Sequence, residues 1–394
     1  MRHIAASLVV LCLAGVSAHS NEQISIGETI EIDSRILGEV RTVLVSPPAG
    51  YDPSKRYPVL YMTDGDQHLT HTRGTADFLA RNGLVPPLII VGVINTDRSR
   101  DLTPTRAGLA GLDGTLRELP TSGGGSDFLD FFEKELFPFV DSHYSTLGLR
   151  FLAGHSLGGL FALESLFTRP AMFAGILAVS PTLMWDGDLP LRQARGFLEE
   201  YEELNASLFV AMGNEERGDP RPTRLDRLEE TLKGGQVDGF EWRILRIPEE
   251  THSSVVLRGY YWGLRHAFEP WLLPADPATG AYTGTLDDLV SHYARLSERY
   301  DIDLSPPEQA VNAIGYRALF RNDIERAIAI FRYNVELYPD AANVHDSLGE
   351  ALERAGRLGE AFSSYSRAVD RASRARDPNL GIFKANRDRA KKGL

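Results

Sequence analysis

Cysteine is almost absent: the 394 residues include one, Cys12. It sits in an apolar run, Ile4 to Val16, that follows Arg2 and His3 and leads into Val16-Ser17-Ala18. A short positive start, an apolar stretch and a small-residue end form the pattern of a secretory signal peptide, and the stretch is too short to cross a bilayer. Leu11 occupies the place where a lipid anchor on Cys12 would need a small residue. Removal of residues 1–18 takes the cysteine away, so the exported chain is expected to have no disulfide, no thiol chemistry and no cysteine-held metal. No later stretch is apolar for long enough to span a membrane. The expected location is therefore secreted, and periplasmic rather than the medium. Positive charge is also scarce. Lys and Arg total 42 against 54 Asp and Glu, a formal net charge of -12, which argues against a nucleic-acid partner. Residues 371–394 are the exception, with eight Lys/Arg and two Asp. That basic strip reads as a solvated helix face or as a docking strip for an acidic surface such as the first domain.

The length suggests two domains. After antiparallel strand patterns in 23–46, short apolar runs bounded by turn residues recur at 58–62, 88–94, 151–153, 173–179, 208–212 and 242–247, several separated by helical patterns. One helix is expected over Ser126–Tyr144, with Ser126 as its N-cap. This alternation predicts an α/β domain with a mostly parallel sheet. The Pro- and Gly-rich stretch after Pro270 reads as its end. Beyond Pro307 the pattern is helical and repeats: Gly315 returns as Gly349, Ala327 as Ala361, Phe331 as Tyr365 and Val335 as Val369, all at the 34-residue period of tetratricopeptide repeats. The expected organisation is a signal peptide at 1–18, an α/β domain at 19–275, a linker at 276–305 and a small all-α repeat domain at 306–394. Two repeats are few for a free-standing array. They are expected to pack on the first domain, on a protein partner or on a second copy.

The stretch Gly154-His155-Ser156-Leu157-Gly158 matches G-x-S-x-G between a strand pattern and a helix pattern. In that context the glycines permit a sharp turn that holds the serine hydroxyl clear of the sheet edge. A serine needs a base, and His252 follows the run 242–247 on a loop. The histidine needs an acid, for which Glu216 is preferred over Glu215, both just after Gly213. The order Ser156, Glu216, His252 is that of α/β hydrolases. Backbone N–H groups of Leu157, after the nucleophile, and of Asp66, after Asp64-Gly65, are the candidate oxyanion donors. Arg98, Arg100 and Arg106 offer a positive patch for an anionic substrate, or pair with Asp97 and Asp101. Trp185 is a candidate pocket wall or a cover for the sheet. The Gly-rich run 121–128 reads as a mobile rim.

As a set, "YPVLYMTDG", "INTDRSRDLTPT", "FLDFFEKELFPFVDSHY", "GHSLGGLFALESLF", "VSPTLMWDGD" and "THSSV" resemble the putative esterase family over about residues 24–272. That family includes ferric-siderophore esterases, esterase D, feruloyl esterase modules and mycolyltransferases. Some of its siderophore-esterase-like members also carry C-terminal helical repeats. The resemblance implies an α/β-hydrolase fold with Ser156 as nucleophile, His252 as base, and Asp66 and Leu157 as oxyanion donors. It also implies that a Ser-His pair can suffice, and this sequence offers Glu where many hydrolases have Asp. The expected activity is carboxylic-ester hydrolysis through an acyl-enzyme on a small-molecule ester, with no cofactor and no metal required. The ester is a siderophore or a feruloyl or acetyl group on a carbohydrate. The reading outside catalysis is a scaffold that binds a partner through its repeats.

Overall fold

A computed structural model describes residues 25–110, 116–215, 223–276, 278–280 and 282–394. The expected signal peptide and Glu216 lie outside the described residues. The strands are β1 (Glu28–Ser34), β2 (Glu39–Ser46), β3 (Tyr57–Met62), β4 (Ile89–Val93), β5 (Gly108–Ala110), β6 (Leu116–Glu118), β7 (Thr146–His155), β8 (Gly175–Val179), β9 (Ser207–Met212) and β10 (Glu241–Arg246). Eight of them form one sheet in the order β1-β2-β4-β3-β7-β8-β9-β10, and β5 and β6 form a separate antiparallel pair. β1 and β2 run antiparallel to their neighbours; from β4 to β10 every pairing is parallel. This is the α/β-hydrolase arrangement that the alternating pattern predicts.

Central strands are apolar throughout because helices cover both sheet faces. Tyr61, Leu152, Ala178 and Val210 point into one core, and Leu60, Phe151, Leu177 and Phe209 into the other. The edge strand β10 instead spaces Glu241, Arg243 and Arg246 along its length, charge that discourages pairing with a further strand.

The helix expected from Ser126 begins earlier and is interrupted. Its first helical residue is Gly125, capped by Gly124, because the N–H groups of Gly124 and Gly125 donate to the carbonyls of Arg100 and Thr103. A π turn, Phe132–Leu136, precedes Pro138, whose missing N–H removes one α-type bond. Gly123 N–H also donates, to Thr103 Oγ1. The run 121–128 is thus a bonded seam against residues 100–103 rather than an open rim.

The linker expectation also needs correction. Residues 286–300 form a helix, started by a reciprocal capping box between Thr285 and Asp288. Leu289, Tyr293 and Leu296 are buried in the same core as the following helices. Those helices are Glu308–Phe320, Ile324–Leu337, Ala342–Arg354, Leu358–Ala375 and Leu380–Lys392. Both Gly positions 34 residues apart meet an aromatic ring: a Cβ on Gly315 would overlap Phe331, and one on Gly349 would lie 2.7 Å from Tyr365. Two helix pairs therefore approach in the same way. The helical region joins the hydrolase domain at the start of β10. There Trp271 stacks on Tyr300, with ring centroids 6.1 Å apart, and Arg299 pairs with Glu241 at 2.9 Å. Among the described residues, the basic strip makes its side-chain bonds within the helical region and not to the hydrolase domain. Arg389 binds Glu353 at 2.8 Å, Asn386 binds Asp346, and Arg371 pairs with Asp340, all within the helical region.

Candidate active site

Among the described residues, Ser156 and Leu157 follow β7, Asp66 follows β3 and His252 follows β10, all beyond the C-terminal ends of parallel strands. β7 ends at His155, and Ser156 turns the chain with φ 62° and ψ -115° into the helix Leu157–Thr168. Such a backbone is strained for a residue with a Cβ, and strain of this kind is concentrated at functional sites. Surrounding bonds hold it: Ser156 N–H donates to Val179 O at 3.0 Å, and its carbonyl accepts from Leu160 and Thr182. The turn is so tight that a Cβ on Gly154 would overlap the Gly158 carbonyl. Leu157 N–H, in the first turn, has no earlier helical carbonyl to bond and faces the helix's positive end. Ser156 Oγ makes no hydrogen bond among the described residues, as is common for catalytic groups without substrate.

The second donor candidate has the same origin. β3 runs into Asp64, left-handed at φ 53°, and then the helix Gly65–Arg81. The Asp64 carbonyl accepts from Gln67 and His68, so the Gly65 and Asp66 N–H groups precede the helical bonding. Asp66 itself is exposed, while Asp64 is buried.

His252 lies on the loop after β10. Its Nδ1 donates to Glu215 Oε2 at 2.7 Å, and Ser180 Oγ donates to the other Glu215 oxygen. Burial pushes the Glu215 carboxyl up, but the bonds from His252 and Ser180 outweigh it and hold it below the usual glutamate range. The acid that the geometry brings to His252 is therefore Glu215, the less preferred of the two sequence candidates. Sequence reading missed Ser180 altogether.

The residues expected to bind substrate behave differently. Arg98 is a strut: Nε and Nη2 grip Asp64 at 2.7 and 3.1 Å, and Nη2 also donates to the His155 carbonyl at 3.1 Å. Arg100 is held by Glu39 and Asp101, beside fully buried Arg41, which also binds Asp101. The ion pairs of Arg41 and Arg100 pin the loop after β4 onto β2; Arg100 thus meets Asp101, one of its two expected partners, whereas Arg98 pairs with Asp64 instead of Asp97 or Asp101. Arg106 is exposed, with no partner among the described residues. Trp185 is 0 % exposed, and its indole N–H donates to Thr105 Oγ1 at 3.0 Å. It belongs to the core, not to a pocket wall.

A row of histidines backs the site. His155 lies against His252 with ring centroids 4.7 Å apart, and edge-on to His68 at 5.7 Å; His68 Nδ1 and His71 Nε2 share a hydrogen bond of 3.1 Å. Burial pushes both His71 and His155 down to about 4. In the unfolded chain they return to about 6.5. Between those values the unfolded chain binds protons that the native one refuses. Stability is thus full above about pH 6.5 and falls as pH drops towards 4, by on the order of 2 kcal/mol for each histidine after solvent screening. Urea unfolding at pH 7, 5.5 and 4 is expected to show this loss, and H71Q to flatten it; parallel slopes for the two proteins would refute the assignment.

Comparison with known proteins agrees with the fold. The putative esterase family model matches residues 34–233. A siderophore triacetylfusarinine C esterase of Aspergillus fumigatus is 32% identical over 204 residues, 47% of this chain and 66% of that one. Ferri-bacillibactin esterase BesA of Bacillus subtilis is 27% identical over 58% of this chain and 84% of its own length. The crystal structure of an IroE-like serine hydrolase from Shewanella oneidensis superposes with a TM-score of 0.67 at 30% identity, covering 79% of this chain and 99% of that one. The match to the fungal relative spans just under two thirds of that protein. With the elbow at Ser156, the α/β-hydrolase sheet and a family match over half its length, the chain belongs to the putative esterase family and is an esterase.

Proposed function

We propose that the protein is an exported serine esterase that opens siderophore esters through an acyl-enzyme. The observation that carries the catalytic part is the His252–Glu215 bond of 2.7 Å beside the strained elbow at Ser156. Ser156 Oγ attacks the ester carbonyl while His252 takes its proton. Glu215 fixes the imidazole with its proton on Nδ1, leaving Nε2 to act as base, and stabilises the cation that forms. Leu157 and Asp66 N–H groups receive the oxyanion. His252 then protonates the departing alkoxide, and water, activated by the same histidine, releases the acid and restores the serine. The relatives' names support a siderophore ester as substrate, and the pattern of residues 1–18 supports export.

The test is a substrate comparison by mass spectrometry with purified protein: iron-free and ferric catecholate trilactones, triacetylfusarinine C, methyl ferulate and acetylated xylan, alongside fluorophosphonate labelling. The expected result is a label on Ser156 and a kcat/KM for a siderophore ester at least about 100-fold above that for methyl ferulate, a difference of about 2.7 kcal/mol in transition-state binding. Faster cleavage of the feruloyl or acetyl esters would overturn the substrate assignment.

A further inference from the structure

We infer that His155, the residue before the nucleophile, is a positioning residue that sets the catalytic base against the elbow. This rests on the esterase reading above. His155 Nε2 donates to the backbone carbonyl of His252 at 2.7 Å. A carbonyl only accepts, so the proton sits on Nε2 and the tautomer is fixed. Burial keeps the ring neutral at working pH.

Two pulls locate His252. From the β9 side, Glu215 holds its Nδ1, and Asn214 N–H donates to Glu250 O at 2.7 Å. From the β7 side, the hydrogen bond from His155 is the one recorded between the His252 backbone and the elbow among the described residues. His155 is anchored in turn: its own carbonyl accepts from Arg98 Nη2, and Arg98 grips Asp64, the residue that opens the oxyanion helix. Asp64, Arg98, His155 and His252 thereby connect the oxyanion donors, the nucleophile turn and the base loop in one chain of bonds. Without the His155 donor, the base loop keeps its fold through Glu215 and Glu250 but loses its register against Ser156. A misplacement of about 1 Å costs roughly 100-fold in rate.

The test uses p-nitrophenyl butyrate with wild type, S156A, H155F and H155Q. H155F keeps a flat ring against His68 and His252 but has no donor; H155Q keeps a donor without the ring. The expected result is a kcat for H155F about 30- to 100-fold below wild type with KM within twofold, a parallel fall in its fluorophosphonate inactivation rate, and recovery to within about fivefold in H155Q. An H155F variant as fast as wild type, or an H155Q variant as slow as H155F with equal melting temperatures, overturns the inference. If H155F fails to fold, H155Q alone decides by its rate. Wild-type turnover that survives in S156A would instead overturn the esterase site itself, so the two failures are distinguishable.

Discussion

S156A is expected to lower kcat on any ester substrate by about 10⁵- to 10⁶-fold while leaving the melting temperature within about 2 °C of wild type. The two halves of that result have separate causes. Activity falls because the attacking atom is gone; what remains is the rate conferred by binding and by the oxyanion donors. Stability persists because alanine keeps the Cβ at φ 62°, so the strain of the turn is unchanged, and because Ser156 Oγ has no hydrogen bond to lose among the described residues. Its backbone bonds to Val179, Leu160 and Thr182 do not involve the side chain. Steady-state turnover and calorimetry on the same preparation check both halves. A variant retaining more than about a hundredth of wild-type kcat would show that another group attacks.

The second large effect is structural. G154A is expected to destabilise the fold by about 3 kcal/mol or more and to abolish activity. The added methyl would overlap the Gly158 carbonyl and lie 2.9 Å from Gly159 N. Neither atom can retreat, because Gly158 and Gly159 form the first turn of the helix behind Ser156 and a Cβ on Gly159 would itself lie 2.9 Å from Pro181 Cα. Relief requires the elbow to open, which moves the nucleophile and the Leu157 donor together. G196A is the control: it adds the same methyl to an exposed helical position with nothing within 4 Å, and is expected to stabilise slightly through helix propensity. Denaturant unfolding of the two variants should diverge in sign. A G154A protein as stable as wild type would show that the elbow is not held as described.

Residues whose role follows from chain direction and period were legible in the sequence. The apolar runs became strands because burial on both faces needs unbroken hydrophobicity. Ser156 was legible because only glycines accommodate that turn. What stayed hidden depends on where a side chain meets a distant one. Glu215 and Glu216 are adjacent on a loop without period, so pattern cannot choose between them; the choice follows from how β9 exits at Met212 and from Asn214 binding Glu250. For Arg98 the sequence offered only its neighbours Asp97 and Asp101 as partners, because the real one, Asp64, lies 34 residues upstream across the sheet edge. For Trp185 the sequence left pocket wall and sheet cover open, because residue type does not say which way the ring packs; burial decides for the core. The helix at 286–300 did carry a signal, Thr285 followed by Asp288 and a Leu289, Tyr293, Leu296 stripe, and the Pro- and Gly-rich approach to it obscured that signal.

The helical region is fastened to the first residues of β10, whereas the candidate site lies where β7 and β9 end. The two therefore occupy opposite ends of the parallel part of the sheet. A grip on the helical pole would leave the mouth of the enzyme turned outward, open to diffusing ester.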